Sequence, residues 1–277
     1  MLFFGLFYSF ALIAFGLCQD SRLRYGGALA LLLAAPLVEY TSWEFSSYVL
    51  GYLLLTAWMV WQPLTPWLRN LRYLCWFLAS GVLVLHAVPG DAGLLLAEEV
   101  VLKQGSVPTN LYLNHDKVWV AWSLLSWLPM GRLSMALRRP FPRWLVPILL
   151  SVAVALVMLV AVGLGLVHWQ PALTSWFWVF AVNNLLNTCI AEELLFRGVL
   201  QRQLAIRFGW MAALVLASGT FGLVHLAGGW SFVAVASLAG LVYGLAYLWT
   251  GRLVWAVLVH WLLNLSHLLL FTYPVSG

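Results

Sequence analysis

Charge is what this 277-residue chain has least of. Asp, Glu, Lys and Arg together make up 8% of it, nine acids against fourteen bases. Soluble globular domains carry about 25% charged residues, so this composition excludes that class. A chain 64% hydrophobic and 15% aromatic is equally unlike a disordered one, which has too little apolar surface to bury. Cysteine is also scarce. Cys18, Cys75 and Cys189 are odd in number and scattered, so no disulfide framework follows. The net charge of +5 does not signal nucleic acid, because basic residues of a membrane protein gather in its cytoplasmic loops.

What the chain has in abundance is long apolar runs. A bilayer is crossed by a helix of about 17–25 residues. Such runs lie near 1–18, 27–43, 46–64, 73–88, 117–133, 144–168, 174–197, 209–227, 231–250 and 253–272. The expected fold is therefore all-α, a polytopic transmembrane helical bundle of about 8–10 spans. Threading these runs puts Arg22, Arg24, Arg69, Arg72, Arg132, Arg138, Arg139, Arg143, Arg197, Arg202, Arg207 and Arg252 on one side, and only Lys103 and Lys117 on the other. By the positive-inside rule both termini are expected to be extracytoplasmic, and the chain reads as an integral protein of a bacterial plasma membrane. The long connection holds the apolar stretch 94–102 with Glu98 and Glu99, which suggests a short amphipathic helix at the interface. Three parts are expected: an accessory N-terminal transmembrane block (1–88), an extracytoplasmic connection (89–116) and a working domain (117–277).

Ionisable groups inside a bilayer are expensive and mark function. Glu193 and Arg197 stand at i and i+4, so they can pair on one helix face. Glu192 is turned off that face and lines up with Thr188 and Asn184. Two adjacent acids sharing one arginine leave one carboxylate compensated and the other available for proton transfer; a structural ion pair alone would need only one. The next span carries Phe221 and His225 at i and i+4, the last one His260 and Asn264 with the same spacing. An imidazole and a carboxamide on one face form a plausible donor pair for an oxyanion, and they also serve as helix–helix hydrogen-bonding glue.

Taken in order on separate apolar segments, Glu192-Glu193-x-x-x-Arg197, Phe221-x-x-x-His225 and His260-x-x-x-Asn264 resemble the motifs of the CPBP family of intramembrane proteases, which includes the type II CAAX prenyl proteases and the bacterial Abi proteins. The resemblance covers roughly 117–272; Asn114 to Lys117 resembles a feature that often opens the bacterial domain. It implies an intramembrane peptidase of the glutamic type, a hydrolase cutting near the C terminus of a membrane-associated protein or peptide, which could carry a C-terminal sorting tail. Carried over by position, Glu192 is the general base that activates water and His225 holds that water and shuttles the proton. His260 and Asn264 stabilise the oxyanion, while Glu193 and Arg197, with Phe221, support them. No cofactor and no nucleic acid are implied; the partners are the substrate and the lipid bilayer.

Two other readings stay open. Glu192, His225 and His260 could hold zinc with one open position, although there is no His-Glu-x-x-His helix. A transporter or non-proteolytic scaffold could relay protons through the same residues, although no internal repeat pairs the segments. The mechanism also sets a demand on geometry: Glu192, His225, His260 and Asn264 must converge. Counting about 1.5 Å per residue, Glu192 lies roughly 15 Å from Arg202, and His225 roughly 27 Å from Arg207. The stretch from Gly198 to Gly209 is therefore expected to fold back within the protein, so that the next helix starts below the cytoplasmic surface.

Overall fold

The computed structural model describes residues 1–60, 65–88, 93–128 and 141–277. Arg132, Arg138 and Arg139, counted above for orientation, lie outside the described residues. Apolar composition and helix-forming Leu and Ala dominate, and the chain is a polytopic helical bundle as the apolar runs require. Among the described residues, Leu145–Gly163, Phe177–Leu223, Trp230–Thr250 and Leu253–Leu270 are long and apolar enough to cross a membrane. The helices form two compact units, the first from Met1–Glu98, Asn110–Pro129 and Leu186–Ala191, the second from Glu99–Thr109, Met130–Leu185 and Glu192–Gly277.

In the first unit, α1 (Leu2–Leu17), α2 (Ser21–Leu37), α3 (Trp43–Val60) and α4 (Pro66–Val84) surround α5 (His115–Trp127). Nearly every α5 residue is buried, Trp119 and Trp122 completely. Its indoles and hydroxyls need partners once out of water. Trp119 Nε1 donates to Tyr8 Oη (2.9 Å), Ser123 Oγ takes Trp76 Nε1 (2.9 Å) and pairs with Thr56 (2.7 Å), and Tyr52 meets Ser80 (2.8 Å). His115 is buried among the rings of Tyr8, Tyr40 and Phe45, and His86 pairs with Asp116.

The amphipathic helix expected at 94–102 is not formed. Leu94–Val100 (β1) pairs with Thr109–Leu113 (β2). A helix of so few residues is marginal by itself, whereas a second strand with Leu111 and Tyr112 supplies backbone hydrogen-bond partners along one edge.

The second unit is organised by α10 (Trp230–Thr250), which packs on α6 (Leu145–Gly163), α9 (Arg202–Leu223) and α11 (Leu253–Leu270). Val146, Leu150, Val154, Val157, Met158 and Ala161 form one buried stripe along α6, meeting Ala239, Val242, Tyr243 and Ala246 of α10. The opposite face of α6, with Ile148, Val152, Leu156 and Leu159 about half exposed or more, is apolar as well, which suits lipid.

Ahead of α9 the chain is one continuous helix with two wide turns: α7 (Phe177–Asn183), a π-helical stretch Asn184–Cys189, α8 (Ile190–Glu193) and a second π-helical stretch Leu194–Gln201. The expected fold-back between Gly198 and Gly209 is absent. The helix runs on to Phe208 and turns at Gly209 alone, whose φ of 78° and ψ of 166° lie in a region open to glycine. The depth conflict dissolves because the correct reference is this turn, not Arg202 or Arg207. Arg197 and Phe221 are each twelve residues from Gly209, and Glu193 and His225 are each sixteen. A helical hairpin bent there brings them level without irregular backbone at depth.

One end of this unit is closed by extended chain. The backbone N–H groups of Thr272, Gln170 and Val107 donate to the carbonyls of His168, Leu270 and Val275. Lys103, buried, donates to the carbonyls of Gln170 and Phe271 (2.8 Å each). Burial pulls its amine from the ordinary 10.5 down to about 8.

Candidate active site

The buried ionic residues of the second unit meet at one carboxylate oxygen. Glu193 Oε1 accepts from Arg197 Nη1 and from His260 Nδ1, both at 2.8 Å, and the Glu193 and Arg197 side chains are fully enclosed. Arg197 Nη2 donates to the carbonyl of Gly240 (2.9 Å). Its guanidinium lies 4.8 Å from the Phe221 ring and 5.2 Å from that of Tyr243, so aromatic faces cover a cation shut off from bulk solvent. Isolated buried charges are prohibitive; a pair with further hydrogen bonds is tolerable.

Close helix approach makes this possible. A Cβ on Gly240 would stand 3.1 Å from Ser218 Cα and 3.3 Å from Arg197 Nη2, and one on Gly222 would strike Ser237 Oγ at 2.0 Å. Glycine at both positions lets α9 and α10 touch backbone to backbone.

The sequence motifs converge on this cluster. Phe221 is the spacer: its ring lies 4.9 Å from that of His225 and 5.8 Å from that of His260. At the end of α9 the backbone N–H of His225 goes to Gly222 (2.9 Å), and its Nδ1 donates to the carbonyl of Phe221 (2.7 Å). His260 likewise spends Nδ1–H on Glu193. Carbonyl and carboxylate oxygens only accept, so both imidazoles, when neutral, present Nε2 as a proton acceptor. The donor role expected of His260 is consequently open to it only after Nε2 takes up a proton.

Asn264, one turn beyond His260, is half-buried and donates through Nδ2 to Asn184 Oδ1 (3.1 Å). Glu192 is half-buried, in contrast to the sealed Glu193. Thus Glu193, Arg197, Phe221, His225 and His260 share one set of contacts, Asn264 is held by Asn184, and Glu192 adjoins the cluster through the peptide chain.

Two participants were not singled out in the sequence. Tyr243 stacks on His260 with ring centres 4.5 Å apart and planes within 13°, and it is buried. Gln201, also buried, donates to the carbonyl of Gly244 (3.3 Å). The signal was available for Gln201, since Glu193, Arg197 and Gln201 recur every four residues. Nothing sets Tyr243 apart from other aromatics of the chain. Among the described residues, no three His, Cys, Asp or Glu side chains are grouped so as to hold a metal ion.

Residues 174–266 match the family model of the type II CAAX prenyl endopeptidases, Rce1-like. This stretch contains all three motifs and supports the resemblance to CPBP proteases. No curated protein and no solved structure matches the chain.

Proposed function

Starting from an Rce1-like region, in a family of membrane peptidases, we propose that this chain is an intramembrane endopeptidase that cuts a membrane-associated protein or peptide near its C terminus by metal-free, glutamate-activated hydrolysis. The observation that carries the reading is the shared oxygen of Glu193. It neutralises Arg197 and fixes His260, so these two contacts are met by Glu193 and do not draw on the adjacent carboxylate of Glu192. Glu192 takes a proton from water and the hydroxide attacks the scissile carbonyl carbon. His225, through Nε2, holds that water and passes the proton towards the leaving amine. The oxyanion is met by the Asn264 carboxamide, oriented by Asn184, and by His260 once protonated, with the Glu193 carboxylate balancing the imidazolium. Arg197, Phe221 and Tyr243 hold these groups without touching substrate.

In this reading the Gly209 and Gly251 turns face the cytoplasm across a bacterial plasma membrane, with both termini outside; the nearby Arg202, Arg207 and Arg252 support that orientation. Substrate is sought by comparing membrane proteomes with and without the chain, then cleaved by purified protein in liposomes. His260→Ala and Asn264→Ala are each expected to lower kcat by roughly 10²–10³-fold. A strong chelator should leave the rate unchanged; loss reversed by adding zinc would replace the glutamate mechanism with a metal one held by Glu192, His225 and His260.

A further inference from the structure

The face that carries Glu193 and Arg197 continues to Gln201, and these three side chains are 0–1% exposed. Each has one polar atom with no partner among the described residues: Glu193 Oε2, Arg197 Nε and Gln201 Oε1. A fourth such atom, Ser218 Oγ, belongs to a residue 2% exposed on α9. These atoms border one seam. A Cβ added to Gly240 would meet Arg197 Nη2 and Ser218 Cβ at 3.3 Å, and one added to Gly244, one turn on, would meet Gln201 Oε1 at 2.9 Å and Leu214 Cδ1 at 2.5 Å, so these residues are close neighbours across the line where residues 197–201, α9 and α10 meet.

A buried polar atom without a partner costs about 1–3 kcal/mol, and four of them along one seam call for a common ligand. The ligand must donate to Glu193 Oε2 and Gln201 Oε1, accept from Arg197 Nε, and do either with Ser218 Oγ. Water does all of these, and buried water takes about three such bonds.

We propose that the seam between residues 193–201, α9 and the Gly240–Gly244 turn of α10 holds a file of ordered water, running from the Glu193–His260 cluster towards the Gly209 turn. As a supply of water to the centre this rests on the hydrolytic reading, since each turnover consumes one water that a hydrocarbon surround does not provide. As a binding site it rests on the four atoms alone.

Hydroxyl-radical footprinting of the whole chain in nanodiscs, with radicals made from water by X-rays and read by mass spectrometry, tests it without a substrate. Tyr243 (1% exposed) and Leu214 (5%) line the seam, whereas Trp119 (0%), whose indole is bonded to Tyr8, serves as the dry reference. The file predicts that Tyr243 and Leu214 oxidise several-fold faster than Trp119, and that Gln201→Leu and Ser218→Ala each bring Tyr243 towards the reference rate. Ser218→Ala removes one hydroxyl and decides the matter if Gln201→Leu fails to fold. Tyr243 and Leu214 as protected as Trp119, or oxidation unchanged in both variants, would overturn the proposal. Fast oxidation in a protein that cleaves nothing would leave the water file standing and remove the peptidase reading.

Discussion

The two units centre their buried polar groups on different chemistry. In the first, neutral hydroxyls and indoles predominate about α5, and Tyr52 with Ser80, Thr56 with Ser123, Trp76 with Ser123 and Trp119 with Tyr8 form donor–acceptor pairs, while Asp116 pairs with His86 and Ser9 Oγ, Trp122 Nε1 and Trp127 Nε1 have no partner among the described residues. In the second, charged side chains converge on one carboxylate oxygen of Glu193, and the unpartnered polar atoms of Glu193, Arg197, Gln201 and Ser218 lie on neighbouring helix faces. Pairs of neutral groups tie helices together and ask for nothing else. Buried charge with capacity to spare is costly, and such sites are where proton chemistry is carried out.

The largest effect should come from breaking the charged cluster. Glu193→Ala leaves Arg197 enclosed without its counter-ion and is expected to cost about 3–5 kcal/mol, read as loss of thermal stability in detergent together with loss of cleavage. Gly240→Ala pushes a methyl group against Ser218 Cα and Arg197, and overpacking of this kind costs about 1–3 kcal/mol. The matched change in the first unit, Gly51→Ala, meets nothing within 4 Å and should stabilise α3 by roughly 0.5–1 kcal/mol. Equal melting shifts for the two alanines would erase the contrast in helix approach.

Smaller still is Trp119→Phe. It removes one neutral hydrogen bond, worth about 0.5–1.5 kcal/mol, and should leave kcat and KM of the other unit unchanged. The smallest effect is one of pH. Lys103 loses its proton near pH 8 in the folded protein and near 10.5 ordinarily. Between those values the unfolded state binds more protons, so stability should rise with pH across that window. The neutral amine keeps two N–H donors for its two carbonyls. Melting temperatures from pH 8 to 10.5 should climb for the wild type and show no such Lys103-dependent rise in Lys103→Met.

Much of this was legible beforehand. Spacing of four residues put Glu193 with Arg197, and the three motifs on successive helices are joined by contacts around Phe221. Depth was misjudged because Arg202 and Arg207 look like a membrane boundary, whereas the backbone turns at Gly209, the first glycine after them. The two π-helical stretches were not visible either. They spoil the i, i+4 register that aligns Asn184, Thr188 and Glu192 on an ideal helix, and Asn187 rather than Thr188 is the buried member. The strand pairing of Leu94–Val100 depends on a partner fifteen residues along, which no local pattern reveals.

The roles of the adjacent acids can be separated directly. Glu192→Gln keeps size and hydrogen bonding but cannot accept a proton, and it leaves the Glu193–Arg197–His260 contacts in place. Single-turnover cleavage by purified Glu192→Gln in liposomes should fall by roughly 10²–10⁴-fold with melting temperature unchanged. Cleavage at the wild-type rate by a folded Glu192→Gln protein would contradict the assignment of Glu192 as the base.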